Sequence, residues 1–202
     1  MSVFGLDRAA RAARAGKEPA APFSPGVSAL RGALAFGAVS TLAYGIWAFG
    51  LLPYGIGMYA AIAVVYLGLG GLALAGLVAG QGVVARVTAL FAAAFLAYAV
   101  VWCVFWFGLR GKHHADLWGA AVGLALLTLI IRHAFGSNEG GLAAWAVLFA
   151  FHTLGYTLGD ELHAAVRGPL GRILWGAAHG IGFGAGLGFL FAAAQRREGR
   201  QT

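Results

Sequence analysis

Six stretches of about 20 residues, each nearly free of charge, constrain this chain more than any other feature. Apolar types make up 60% of its 202 residues and charged types only 10%, against about 25% charged in an ordinary soluble domain. No soluble core of this size hides that much apolar surface, whereas lipid does. Lipid in turn admits only helices or closed barrels, since every backbone polar group must bond internally. Barrel strands alternate apolar and polar residues over about ten positions. These stretches do not alternate, so the expectation is an all-α integral membrane bundle of six transmembrane helices.

The spans are predicted at 27–50, 56–80, 87–108, 115–132, 142–163 and 171–194, with turns at Leu52–Pro53 and near Gly168–Pro169. One 27–194 bundle is flanked by basic tails at 1–26 and 195–202. Lys and Arg set the orientation. With the N-terminus inside, Arg8, Arg11, Arg14, Lys17, Arg31, Arg86, Arg132, Arg196, Arg197 and Arg200 lie inward. Only Arg110, Lys112, Arg167 and Arg172 lie outward. Trp47, Trp102, Trp106, Trp118 and Trp175 fall near the outer boundary and Trp145 near the inner one, where indoles prefer to sit. The expected arrangement is N-in and C-in, in a bacterial-type inner (plasma) membrane.

The same charge distribution accounts for the net +7 without nucleic acid. In the N-terminal tail, Arg8, Arg11 and Arg14 recur every third position behind Val3, Phe4 and Leu6. Two readings fit: a helix lying on anionic headgroups, or a solvated topogenic tail. The tail lacks the apolar centre of a cleavable signal peptide, so the first span is expected to serve as its own insertion signal. The single Cys103 excludes an intrachain disulfide, and in its apolar stretch a thiol is usually inert.

The 33 glycines sit mostly within the apolar runs. Ala33, Gly37, Thr41 and Gly45 on the first span, and Gly176, Gly180, Gly184 and Gly188 on the sixth, recur at every fourth position. Rows of this kind let backbones touch in lipid. They predict tight helix packing, within the chain or against a membrane-protein partner or second copy. A Gly-lined pore or pocket on the sixth span is the functional alternative.

Ionisable groups inside a membrane are costly and mark candidate sites. At 100° per residue, His152, Tyr156, Gly159, Asp160 and His163 share an arc of about 100° on the fifth span, descending about 16 Å from His163 to His152. Glu161 points the other way. On the sixth span Arg172, Trp175, His179, Gly182 and Gly186 share a face. A hairpin of these spans sets His152 and His179 within about one turn of depth. His113 and Asp116 stand at the mouth of the fourth span.

Three chemistries suit this set. Asp160 and His163, three residues apart, can chelate a divalent metal such as zinc or iron, with His179 or His113 as third ligand. His152 and His179 can flank a b-type haem as axial ligands. The His–Tyr–Asp stripe can relay protons near neutral pH. A hydrolytic or redox step on a lipid-soluble substrate is compatible with any of them, with His179 and Asp160 the candidate catalytic groups. The bland alternatives are histidines bonded to neighbouring carbonyls, Asp160 neutralising Arg172 or Arg167, and a non-catalytic assembly subunit.

Two short resemblances bear on His179. Ala178-His179-Gly180-Ile181-Gly182-Phe183-Gly184-Ala185-Gly186 resembles the Ala-His-x-x-Gly-x-x-x-Gly pattern of rhomboid intramembrane proteases. There the histidine is the general base for a serine on the fourth of six core spans. The fourth span here reads Gly119-Ala120-Ala121-Val122-Gly123, without serine. Trp175-Gly176-Ala177-Ala178-His179 is similar to the Phe-x-x-x-His element of CAAX-type membrane proteases. Their Glu-Glu-x-x-x-Arg motif is approached by Asp160-Glu161 with Arg167, at a different spacing.

Overall fold

The structure is a computed structural model that describes residues 4–7, 21–80, 82–137 and 140–196. Arg8, Arg11, Arg14 and Lys17 of the basic tail, and Arg197 and Arg200 at the other end, lie outside the described residues. Six helices follow in chain order: α1 Pro25–Ala48, α2 Ile56–Ala75, α3 Val83–Gly108, α4 Ala115–Phe135, α5 Gly141–Val166 and α6 Gly168–Gln195. All six are long and apolar enough to cross a membrane. The fold is all-α, and it fits a multi-pass integral membrane protein.

Local chemistry sets the helix ends. Ser24 caps α1 by accepting from the Val27 amide, with Pro25 at the first helical position, where its missing N–H costs nothing. The chain leaves α1 through Gly50, at φ +60°, so Leu52–Pro53 belongs to a loop rather than to a single tight turn. The α5–α6 turn falls at Arg167 and Gly168, both at positive φ, and Pro169 already belongs to the first turn of α6.

The second span stops at Ala75, short of the expected residue 80. Gln195 at the end of α6 explains why. Its Nε2 donates to the Leu77 and Phe191 carbonyls, and its Oε1 accepts from the Ala79 amide. One buried side chain thus bonds the backbone that a continuing helix would have bonded.

At the centre stands α6, buried over two thirds of its apolar window. Its row Gly176, Gly180, Gly184, Gly188 runs antiparallel along α1 and meets Tyr44, Ser40 with Gly37, Gly32 and Ser28 in turn. The predicted row on α6 therefore packs within the chain and is not offered to a partner. On α1 the facing row is displaced from the predicted one. Ser28, Gly32, Ser40 and Tyr44 make the contact, and of Ala33, Gly37, Thr41 and Gly45 only Gly37 shares in it closely.

A second face of α6 packs on α5 through Gly182 and Gly186, which meet Gly155, the Phe151 carbonyl and Leu148. α2, α3 and α4 complete the bundle. Gly70 and Gly71 of α2 pack on Phe91 and Thr88 of α3, and Gly119 and Gly123 of α4 pack on Trp102 and Tyr98 of α3. Leu30, Leu34, Ile56, Val64, Phe107, Leu129, Leu142 and Leu154 face outward, as lipid contact requires. From the N-terminal segment, Leu6 is buried in the core and Phe4 packs against it, a contact neither reading of the tail foresees.

Candidate functional site

Gly155 and Gly182 bring α5 and α6 so close that a Cβ on Gly155 would lie 3.0 Å from the Gly182 Cα. His152 precedes Gly155 by three residues and His179 precedes Gly182 by three. The close approach therefore places the two imidazoles edge to face across the seam, with ring centroids 5.0 Å apart and planes at 87°. Their Nε2 atoms are 3.2 Å apart, and the His152 Nε2 also lies 2.9 Å from the Tyr98 hydroxyl of α3.

Proton counting makes this contact unusual. A neutral imidazole nitrogen offers either one N–H or one lone pair. Of the two facing Nε2 atoms, one must donate and the other accept. When the His152 Nε2 carries the proton, the Tyr98 oxygen can accept from it; when it carries the lone pair, the Tyr98 O–H can donate to it. Both Nδ1 atoms are buried without a hydrogen-bond partner. A histidine kept only for packing would anchor its second nitrogen on a carbonyl, and neither does.

The ring cluster continues toward the ends of α1 and α5. Tyr156 stands edge-on to His179 at 5.7 Å and parallel to His152 at 6.4 Å. Trp175, one turn before His179 on α6, meets Tyr156, stacks on His163 at 5.3 Å, and touches Tyr44 and Trp47. Asp116 at the start of α4 and Asp160 near the end of α5 stand at this end of the bundle, the first partly buried and the second exposed. In the other direction the pair is closed by apolar side chains. Phe183 sits 4.9 Å from the His152 ring and is fully buried, as are Leu148 and Leu187.

The structure thus brings His152, Tyr156, His163 and His179 to one face of the α5–α6 seam. Asp160 is different: it stands at the edge of the predicted arc and is exposed. His113 is also exposed, and Asp116 is partly buried at the start of α4. Among the described residues no group of three His, Cys, Asp or Glu is placed to hold a metal ion. The set Asp160, His163, His179 and His113 does not converge, because His163 turns to Trp175 while Asp160 faces outward.

A haem between His152 and His179 does not fit this geometry. Axial nitrogens on opposite faces of a macrocycle stand roughly 4 Å apart, two metal–nitrogen bonds of about 2 Å. The observed 3.2 Å leaves no room for a porphyrin plane.

Arg172 donates through Nη1 to the Trp47 carbonyl at 3.1 Å, and its guanidinium lies over the Trp47 ring. It makes no ion pair with Asp160. The protease-like arrangement is not formed either. Gly119 and Gly123 of α4 pack on Trp102 and Tyr98 of α3 rather than facing His179.

Tyr98 is the participant that sequence reasoning missed. It sits on α3, in an apolar stretch with no ionisable neighbour to mark it, and only its reach across the bundle, past Phe183, brings it to His152. Comparison with protein-family models, with curated proteins and with solved structures finds no match to this chain.

Proposed function

We propose that this membrane protein takes up and releases protons at the His152–His179 pair, reached from the side bearing Asp116 and Asp160. The observation that carries the reading is the 3.2 Å Nε2–Nε2 contact with both Nδ1 atoms left without partners. A proton relay through imidazole needs one nitrogen to receive and the other to release. The Nε2 contact supplies the transfer between rings, and the Nδ1 atoms supply entry and exit. Tyr98 fits the role of a hydroxyl that donates or accepts as the proton moves.

Phe183, Leu148 and Leu187 cover the pair on one side, so access in this reading is from the other. One-sided access suits proton exchange coupled to a conformational change or to a reaction on a lipid-soluble substrate, rather than an open channel. Proteoliposomes carrying the full chain and an internal pH dye test this under an imposed potential. Flux is expected to be low in the wild type and about tenfold higher in Phe183→Ala, whose shortened side chain opens the apolar layer. Adding His179→Phe should return it to the protein-free leak. If Phe183→Ala conducts equally with and without His179, the relay reading fails. Phe183→Leu repeats the test with less loss of packing, because Phe→Ala in a core costs about 3–5 kcal/mol.

A metal-binding reading of the same pair rests on one observation. The Nε2 separation is close to the edge of a tetrahedral site, roughly 3.3 Å for bonds of about 2.05 Å. The unpartnered Nδ1 atoms weigh against it, because metal-bound histidines normally donate their second N–H to a partner. Stoichiometric zinc or iron, lost in His152→Phe, would favour metal over relay.

A further inference from the structure

The outermost end of the same seam carries a second, separate set of polar atoms. Arg172 is partly buried, and its Nε is buried without an acceptor. Trp175 Nε1 and His163 Nδ1 are likewise buried and unpartnered. Trp47 closes the corner, its ring under the Arg172 guanidinium at 4.5 Å and beside His163 at 5.7 Å.

Two features define what this corner lacks. Arg172 Nε and Trp175 Nε1 are obligate donors, and His163 Nδ1 donates in one of its tautomers. The corner also carries a permanent positive charge, and among the described residues Asp160 and Glu161, on the adjoining turn of α5, are exposed and make no ion pair with Arg172. Donors with a fixed cation call for an anionic oxygen. A planar guanidinium suits the paired oxygens of phosphate, and weak hydration lets it bind where water is scarce. Arg172 is the fifth residue of α6, so it lies about 6 Å inside the end of that helix. That is the level of headgroups when α6 spans a bilayer.

We infer that the Trp47–His163–Arg172–Trp175 corner binds a phosphate-bearing anion, either a phospholipid headgroup or a water-soluble phosphate. The test uses the full-length protein in maltoside micelles and reads its melting temperature. Three probes are titrated: dihexanoyl-phosphatidylglycerol, dihexanoylglycerol (the same lipid without phosphate) and inorganic phosphate. A ligand bound only to the folded state raises the melting temperature with concentration.

The phosphatidylglycerol, inorganic phosphate or both should raise it, and dihexanoylglycerol should not. Response to the lipid alone identifies a headgroup site; response to inorganic phosphate identifies a soluble one. Arg172→Gln should weaken the effective probe roughly tenfold or more, the worth of a hydrogen bond to a charged group. Trp175→Phe, which keeps a ring but removes the N–H, should weaken it by a smaller factor, and Lys112→Gln should leave it unchanged. Equal action by dihexanoylglycerol, or equal affinity in Arg172→Gln and Trp175→Phe, would overturn the inference.

Discussion

Helix α6 has two packed faces, and the polar groups at their centres, Ser40 on one and the His152–His179 pair on the other, are bonded to different extents. Against α1, Gly180 lies on Ser40, whose hydroxyl donates to the Gly176 carbonyl at 2.7 Å and shares a 2.7 Å hydrogen bond with the Tyr66 hydroxyl. Nothing on Ser40 is left over. Against α5, His152 and His179 share one hydrogen bond, compete with Tyr98 for it, and leave both Nδ1 atoms without partners. At Ser40 the first face meets its hydrogen bonds, as a stable membrane packing does, although Ser28 Oγ farther along the same face is buried without a partner. The second carries an unmet hydrogen-bonding demand of about 1–3 kcal/mol per buried group. The contrast separates scaffold from site on a single helix.

The contrast can be attacked at several points. The largest effect is expected from Gly184→Val on the α1 face, where the new side chain runs into the Gly32 carbonyl. Backbone contact leaves nothing to yield, so the loss should be at least about 3 kcal/mol. It should appear as failure to elute as a single species in detergent. Next, Gln195→Ala strips partners from the Leu77 carbonyl and the Ala79 amide, and about 2 kcal/mol of stability should go with them.

Ser40→Ala and His152→Phe sharpen the comparison directly. Ser40→Ala removes the second hydrogen bond to the Gly176 carbonyl and the partner of the Tyr66 hydroxyl, and should cost about 1–2 kcal/mol, with proton exchange intact. His152→Phe removes unmet polar atoms and should leave unfolding within about 1 kcal/mol of wild type while abolishing exchange. The reverse pattern would make the histidines scaffold. The smallest effect belongs to Asp160→Asn, an exposed position, where unfolding should move by no more than about 0.5 kcal/mol. Only the rate of proton uptake should fall.

Much of this was written in the sequence, for reasons that differ by element. Spans are legible because lipid leaves helices as the one solution for long apolar runs; most ends lie within a few residues of expectation, and the largest shift is at α2, where Gln195 bonds the backbone beyond Ala75. The α6 row is legible because glycine every fourth residue has few other uses. Its partner row on α1 is not, because Phe36 and Tyr44 interrupt the small residues Ser28, Gly32 and Ser40. Ser40 is chosen by its hydrogen bonds, not its size.

At the site, the shared depth of His152 and His179 follows from the helical rise and a hairpin between consecutive spans. Tyr98 does not, since nothing in the sequence says which face of α3 turns toward the α5–α6 seam. Asp160 shows the limit of helical-wheel reasoning. It sits at the margin of the arc, where a small rotation decides between pocket and surface, and the close packing of Gly159 on Trp175 turns it outward.

The most direct measurement is nitrogen NMR of the full chain with ¹⁵N-labelled histidine in lipid nanodiscs. If the two rings share a proton, the Nε2 atoms of His152 and His179 should show a scalar coupling through the hydrogen bond, with one nitrogen protonated and the other bare. His179→Phe should remove the coupling. Two uncoupled imidazoles, each protonated at a fixed nitrogen and indifferent to loss of the other, would contradict the account.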